Sequence, residues 1–141
     1  MRTSRILIVA VALLLSAAVV FGAGQGESGA IRIGVAGAHS GDLASYGIPT
    51  VHAAELVVEE INANGGIDGR MIELVVEDDQ CKPEVATNTA AKLVGEGVVA
   101  VIGHICSGAT RAALGVYTSE NIITISPSAT NPGLTQSGEF P

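Results

Sequence analysis

Two features of the sequence predict an α/β fold, a parallel sheet with helices on both faces. Short apolar runs alternate with amphipathic helical periodicities in the order β-α-β-α-β-α-β, a pattern that buries a parallel sheet through right-handed crossovers. Glycine and proline stand at the junctions where the hydrophobic period changes.

The elements follow in chain order. Arg2 and Arg5 precede an unbroken apolar stretch from Ile6 to Phe21, and the small residues Gly22, Ala23 and Gly24 come next. This is the pattern of a secretory signal peptide, residues 1–24, and it is shorter than the roughly 20 apolar residues of a membrane-spanning helix. A Gly-rich leader, residues 25–30, connects it to "IRIGVAGA" (31–38), a β-rich run. "HSGDLASYGIP" (39–49) reads as a loop, with Pro49 suited to a first helical position. Val51, Ala54, Val58 and Ile61 then repeat at spacings of three and four, down to Gly65, which can supply a left-handed cap. Glu55, Glu59 and Glu60 belong to the solvated side of that helix.

"GGIDGR" is turn chemistry, and "MIELVVEDD" (71–79) is the second strand. Pro83 opens a helix whose Ala86, Ala90, Leu93 and Val94 share a face, ending at Gly95 to Gly97. The third strand is "VVAVIG" (98–103), a helix runs from about Gly108 to Glu120, and "IITIS" (122–126) is the fourth strand. The roughly 117 residues after the signal peptide suffice for one small core, and their pattern reads as the opening of a larger α/β domain.

Without residues 1–24 the chain keeps five basic residues against 14 acids, a net charge of −9. With 3% aromatics, no tryptophan and no basic cluster, it is a poor partner for nucleic acid or an anionic membrane.

Parallel sheets of this kind bind ligands beyond the carboxyl ends of their strands, so three loops qualify: 38–48, 103–108 and 126–135. The stretch leading into the first, "GVAGAHSG", has glycines at 34, 37 and 41, a GxxGxxxG spacing that differs from the dinucleotide fingerprint, and no phosphate-binding GK[ST] loop occurs. The second, "GHICSGAT" (103–110), brings a histidine, a cysteine and a serine together. His39, His52, His104, Cys81 and Cys106 lack CxxC or HExxH spacing, which argues against a metal. In an exported protein, Cys81 and Cys106 make a disulfide the default over a reactive thiol, and adjacency of the second and third strands would bring them to one sheet edge. The closed loop of about 26 residues corresponds to roughly 3.5 kcal/mol in the chain-entropy model.

Ser107 opens a helix. It either caps a helix N–H or, beside the free N–H groups and positive dipole end, completes a carboxylate site. GxSxG is absent, so no hydrolase arrangement follows. In the third loop, "SPSATNPGLT", Pro127 and Pro132 stiffen the chain while Ser126, Ser128 and Thr130 supply hydroxyls and carbonyls. Such a loop either accepts an ammonium or is an ordinary turn.

Taken together, "INANGGIDGR", "EDDQCKPEVA", "VIGHICSGAT" and "ISPSATNPGLT" closely resemble the leucine/isoleucine/valine-binding proteins of bacterial branched-chain amino-acid transporters, which are type I periplasmic solute-binding proteins. The similarity runs from Ile31 to the last residue, in the same order. It implies that residues 31–141 are the N-terminal part of the first lobe of a two-lobed protein, with the second lobe outside this sequence. It further implies a non-enzymatic, monomeric periplasmic protein without cofactor or metal, handing a small amino acid to the membrane permease of an ABC transporter. By the resemblance, Cys81 and Cys106 form the disulfide pair, Ser107 holds the ligand carboxylate, and Thr130 contacts carboxylate and ammonium. Ser128 stands where a backbone carbonyl meets the ammonium, so its side chain is expected to matter little. Tyr46 matches an aromatic near the ligand side chain, with Ile105 and Cys106 on the pocket wall. Two other readings remain at this point: the ligand-binding lobe of a sensory receptor, and a family branch that takes short amides, urea or other small acids.

Overall fold

The computed structural model describes residues 29–138; the expected signal peptide and most of the Gly-rich leader lie outside the described residues. Four parallel strands form one sheet: β1 (Ile31–Gly37), β2 (Ile72–Asp78), β3 (Ala100–Ile102) and β4 (Ile123–Ile125), in the spatial order β2-β1-β3-β4. Helices α1 (Ala44–Ala63), α2 (Pro83–Gly95), α3 (Ser107–Ser119) and the single turn α4 (Gly133–Gln136) connect or follow them. The predicted order and the parallel sheet are both observed.

Side-chain alternation along β1 sorts the helices onto two faces. Ile33 points toward α1, together with its register partner Leu74 on β2 and with Ile102 on β3, which pairs with Val35. Gly34 and Ala36 point the other way, toward α2 and α3, where Ala90, Leu93, Val98, Val101, Ala113 and Tyr117 form the core. β1 is the inner strand between β2 and β3, and its last four residues are buried.

Several boundaries differ from the sequence reading. The first helix begins at Ala44, with Pro49 inside it and not at its start. The reason is tertiary. A Cβ on Gly47 would fall 1.9 Å from the Ala38 carbonyl oxygen, so glycine lets the chain coil closely against the end of β1, and Pro49 removes just one hydrogen bond near the helix start. The strands β3 and β4 are shorter than their apolar runs, three residues each. The predicted face of α1 is only partly realised: Ala54 is buried, while Val51, Val58 and Ile61 are half-buried. Pro83 does open α2, and Gly65 takes the expected left-handed conformation after α1, with φ of 97°.

Candidate functional site

Because all four strands are parallel, their carboxyl ends gather the loops 38–43, 79–82, 103–106 and 126–132 at one edge of the sheet. The chain leaves β3 through Gly103, whose φ is 136° and whose added Cβ would lie 2.0 Å from the Ala36 carbonyl oxygen. Only glycine passes there.

Cys81 and Cys106 are joined in a disulfide, with Cα atoms 5.4 Å apart. The pairing agrees with expectation, but the adjacency offered for it does not hold: β1 lies between β2 and β3, and the bridge reaches across the end of β1. Gln80 and Cys81 both take left-handed backbone, with φ of 52° and 57°, where the chain turns from β2 toward α2.

Tyr46, Ile105, Cys106 and Ser128, joined by Leu43, line a cleft of about 290 Å³ above this bridge. Leu43 is the residue that sequence reasoning missed; it lay in a stretch read only as a loop. Tyr46 is 71% exposed, whereas Ile105 is buried under the cleft floor. Ser107 is the first residue of α3, not its cap; the cap position belongs to Cys106, which makes no side-chain bond there. The Ser107 hydroxyl instead accepts the Asn131 N–H at 3.3 Å. The amides of the first turn of α3 have no carbonyl one turn earlier to bond, so they and the positive helix end stand beside the cleft wall. Thr130 is exposed and lines a separate cavity of about 340 Å³ with Thr110, Thr124, Ser126 and Leu134. The structure thus brings together four of the six expected ligand residues, sets Ser107 next to Cys106, and places Thr130 on the neighbouring cavity.

Hydroxyl groups stitch the third loop to the second. The Ser128 hydroxyl donates to the Ile105 carbonyl at 2.7 Å, a bond between the two loops that the resemblance did not imply. Ser126 donates to the His104 carbonyl at 2.5 Å and accepts the Ala129 N–H at 2.9 Å. At the end of β2, Asp78 accepts the His39 N–H and the Ser40 hydroxyl of the first loop and the Gln80 N–H. Burial works to raise the Asp78 carboxyl, but these hydrogen bonds outweigh it and hold the group below the ordinary carboxylate value. His39 is shifted down by burial, which its acidic neighbours Asp78, Asp79 and Glu77 only partly offset.

His104 is fully buried and faces away from Ser107 chemistry. Its Nδ1 bonds the equally buried Asp79 carboxylate, and its Nε2 lies 3.0 Å from the Tyr117 hydroxyl. Burial, reinforced by the Asp79 charge, pushes the Tyr117 phenol strongly upward. With Cys106 oxidised and the His104 ring engaged on both nitrogens, this stretch contains no nucleophile and base in contact. The edge is a wall of carbonyls, hydroxyls, helix amides and apolar side chains, suited to holding a small polar molecule.

Residues 30–141 match the family model described as periplasmic binding protein. The chain belongs to the periplasmic binding protein family. Among relatives of this periplasmic binding protein, the Leu/Ile/Val-binding protein of Escherichia coli (strain K12) is 44% identical over 108 residues, 77% of this chain and 29% of the relative. A Pseudomonas aeruginosa protein named for binding leucine, isoleucine, valine, threonine and alanine is 41% identical over the same shares. Among solved structures, a branched-chain amino-acid transporter substrate-binding protein from Streptococcus pneumoniae in complex with isoleucine superposes with a TM-score of 0.73. It is 44% identical, with 77% of this chain and 31% of that one covered. A Desulfitobacterium hafniense ABC transporter substrate-binding protein in complex with Leu gives 0.65 at 35% identity, over 77% and 31% of the two chains. The chain therefore spans less than a third of the relatives it matches.

Proposed function

We propose that this chain is part of the extracytoplasmic solute-binding component of an ABC transporter and binds leucine, isoleucine or valine for delivery to a membrane permease. The observation that carries this reading is the 44% identity and 0.73 TM-score to a substrate-binding protein in complex with isoleucine, joined to a cleft at the edge where the strands' carboxyl ends gather. The N-terminal pattern supports export to the periplasm, and membership in the periplasmic binding protein family supports binding without catalysis.

In this mechanism the α-carboxylate sits at the start of α3. There the Ser107 hydroxyl and the first-turn amides meet it with oriented donors and the positive helix end. Thr130 contributes from the third loop, whose backbone also offers carbonyls to the ammonium. Ile105, Leu43 and Tyr46 bound the apolar side chain. A second lobe, from sequence beyond residue 141, closes over the ligand by hinge motion, and the complete protein acts as a monomer.

A thermal-shift panel on the full-length protein, with each common amino acid, urea and acetamide, tests this. At one hundred times Kd a ligand that binds only the native state adds about 2.7 kcal/mol, a rise of several degrees. The expected result is a shift with leucine, isoleucine and valine that Ser107→Ala abolishes. A shift with urea or acetamide alone would move the assignment to an amide-binding branch.

A further inference from the structure

We propose that Asp79 is a positioning residue for the cleft, acting through His104 to hold the peptide units from Ile105 to Ser107; its consequence for affinity rests on the binding function proposed above. The Asp79 side chain is wholly buried, as is that of His104. One carboxylate oxygen bonds His104 Nδ1, and the other accepts the Cys81 N–H at 2.7 Å. The opposite edge of the imidazole meets the Tyr117 hydroxyl from within α3. The His104 carbonyl is bound as well, by the Thr110 hydroxyl at 3.0 Å and by Ser126.

His104 is thereby tied to the end of β2, to both ends of α3 and to the loop after β4, while Gly103 before it is wedged against Ala36. Apolar packing leaves a ring free to tilt, whereas hydrogen bonds at both nitrogens fix its orientation. The next residue, Ile105, presents its carbonyl to Ser128, and Cys106 and Ser107 follow directly into the cleft wall and the start of α3. A tilt at His104 is transmitted to these groups through two or three peptide units. Asp79 suits the task by having two acceptors. Asparagine has one, so Asp79→Asn can keep the Cys81 N–H bond only by turning its amide N–H groups to His104, whose ring must then accept at Nδ1 and donate from Nε2 to the Tyr117 hydroxyl.

The test uses the full-length protein with Asp79→Asn, Tyr117→Phe and, as a stability control, Leu93→Ala in the core away from the loop. Calorimetry with leucine should give a Kd raised by about tenfold in Asp79→Asn, the equivalent of one charged hydrogen bond, and within about twofold of wild type in Leu93→Ala. In the ligand-free protein, the amide resonances of Cys106, Ser107 and Gly108 should move in Asp79→Asn and Tyr117→Phe and stay in Leu93→Ala. Unmoved amides in Asp79→Asn, or an equal loss of affinity in Leu93→Ala, would overturn the proposal. Should Asp79→Asn fail to fold, Tyr117→Phe, which removes one hydroxyl and keeps the ring, decides it by the same amides. If wild type binds no amino acid, the functional reading fails separately, and the ligand-free amides still decide whether Asp79 positions the loop.

Discussion

Where α2 and α3 cover the sheet, Leu93, Val101, Ala113 and Tyr117 are at most 1% exposed, whereas on the α1 face Ile123 and Ile125 keep 67% and 68% of their surface. Beside α1 an apolar groove of about 510 Å³ runs over Ile33, Leu74 and Ile102. Two helices on one face of four strands complete a core; a single helix on the other, among the described residues, leaves the last strand bare. Among the described residues, apolar burial is therefore concentrated on one side of the sheet. The loops of the candidate site hang from the edge common to both, fastened by the disulfide and by side-chain hydrogen bonds more than by apolar packing.

The sharpest way to break this comparison is to remove volume from each face in the full-length protein. Leu93→Ala should cost about 2–5 kcal/mol in denaturant unfolding, and Ile123→Ala less than about 0.5 kcal/mol, as at an exposed position. Equal losses would mean that another segment covers β4 in solution. The disulfide comes next. Replacing Cys81 and Cys106 by serine should lower stability by about 3.5 kcal/mol on the chain-entropy model for a separation of 25 residues, checked by the same unfolding curves without reductant. A loss near zero would show that hydrogen bonds alone hold the edge.

The smallest effect is expected at Asp78, the last residue of β2, which holds the first loop. Its folded-state value lies below the unfolded one, so its contribution is present above the ordinary carboxylate value of about 3.9 and is lost as pH falls through the folded value. Stability between pH 5 and 2 should therefore decline less in Ser40→Ala than in wild type, since that substitution removes one of the bonds lowering the carboxyl. An identical decline would assign the acid sensitivity elsewhere.

Much of this was legible before the structure. Ala86, Ala90 and Leu93 recur at helical spacing and are buried, because periodicity reports a face directly. Pro83 and Gly65 act where local backbone rules place them. The errors arose where distant contacts decided. Pro49 sits inside a helix because Gly47 fits under Ala38, a contact across nine residues of chain that no local rule reports. Ser107 looked like a cap, yet its hydroxyl meets Asn131, 24 positions away. Ser128 was discounted for its side chain, which bonds Ile105 across 23 positions. Asp79 was read only as the last residue of the second strand, and the fold brings it to His104, 25 positions away.

By itself the sequence determined the alternation of strands and helices, the parallel sheet, the acidic charge and the loops that bear polar chemistry. These follow from local propensity and from hydrophobic period, which act within a few residues. The tertiary structure alone decided that β1 separates β2 from β3, which face is left thinly covered, and which hydroxyls bind carbonyls and not ligand. These depend on contacts between residues far apart in the chain, whose partners are chosen by sheet order and by where each helix comes to rest.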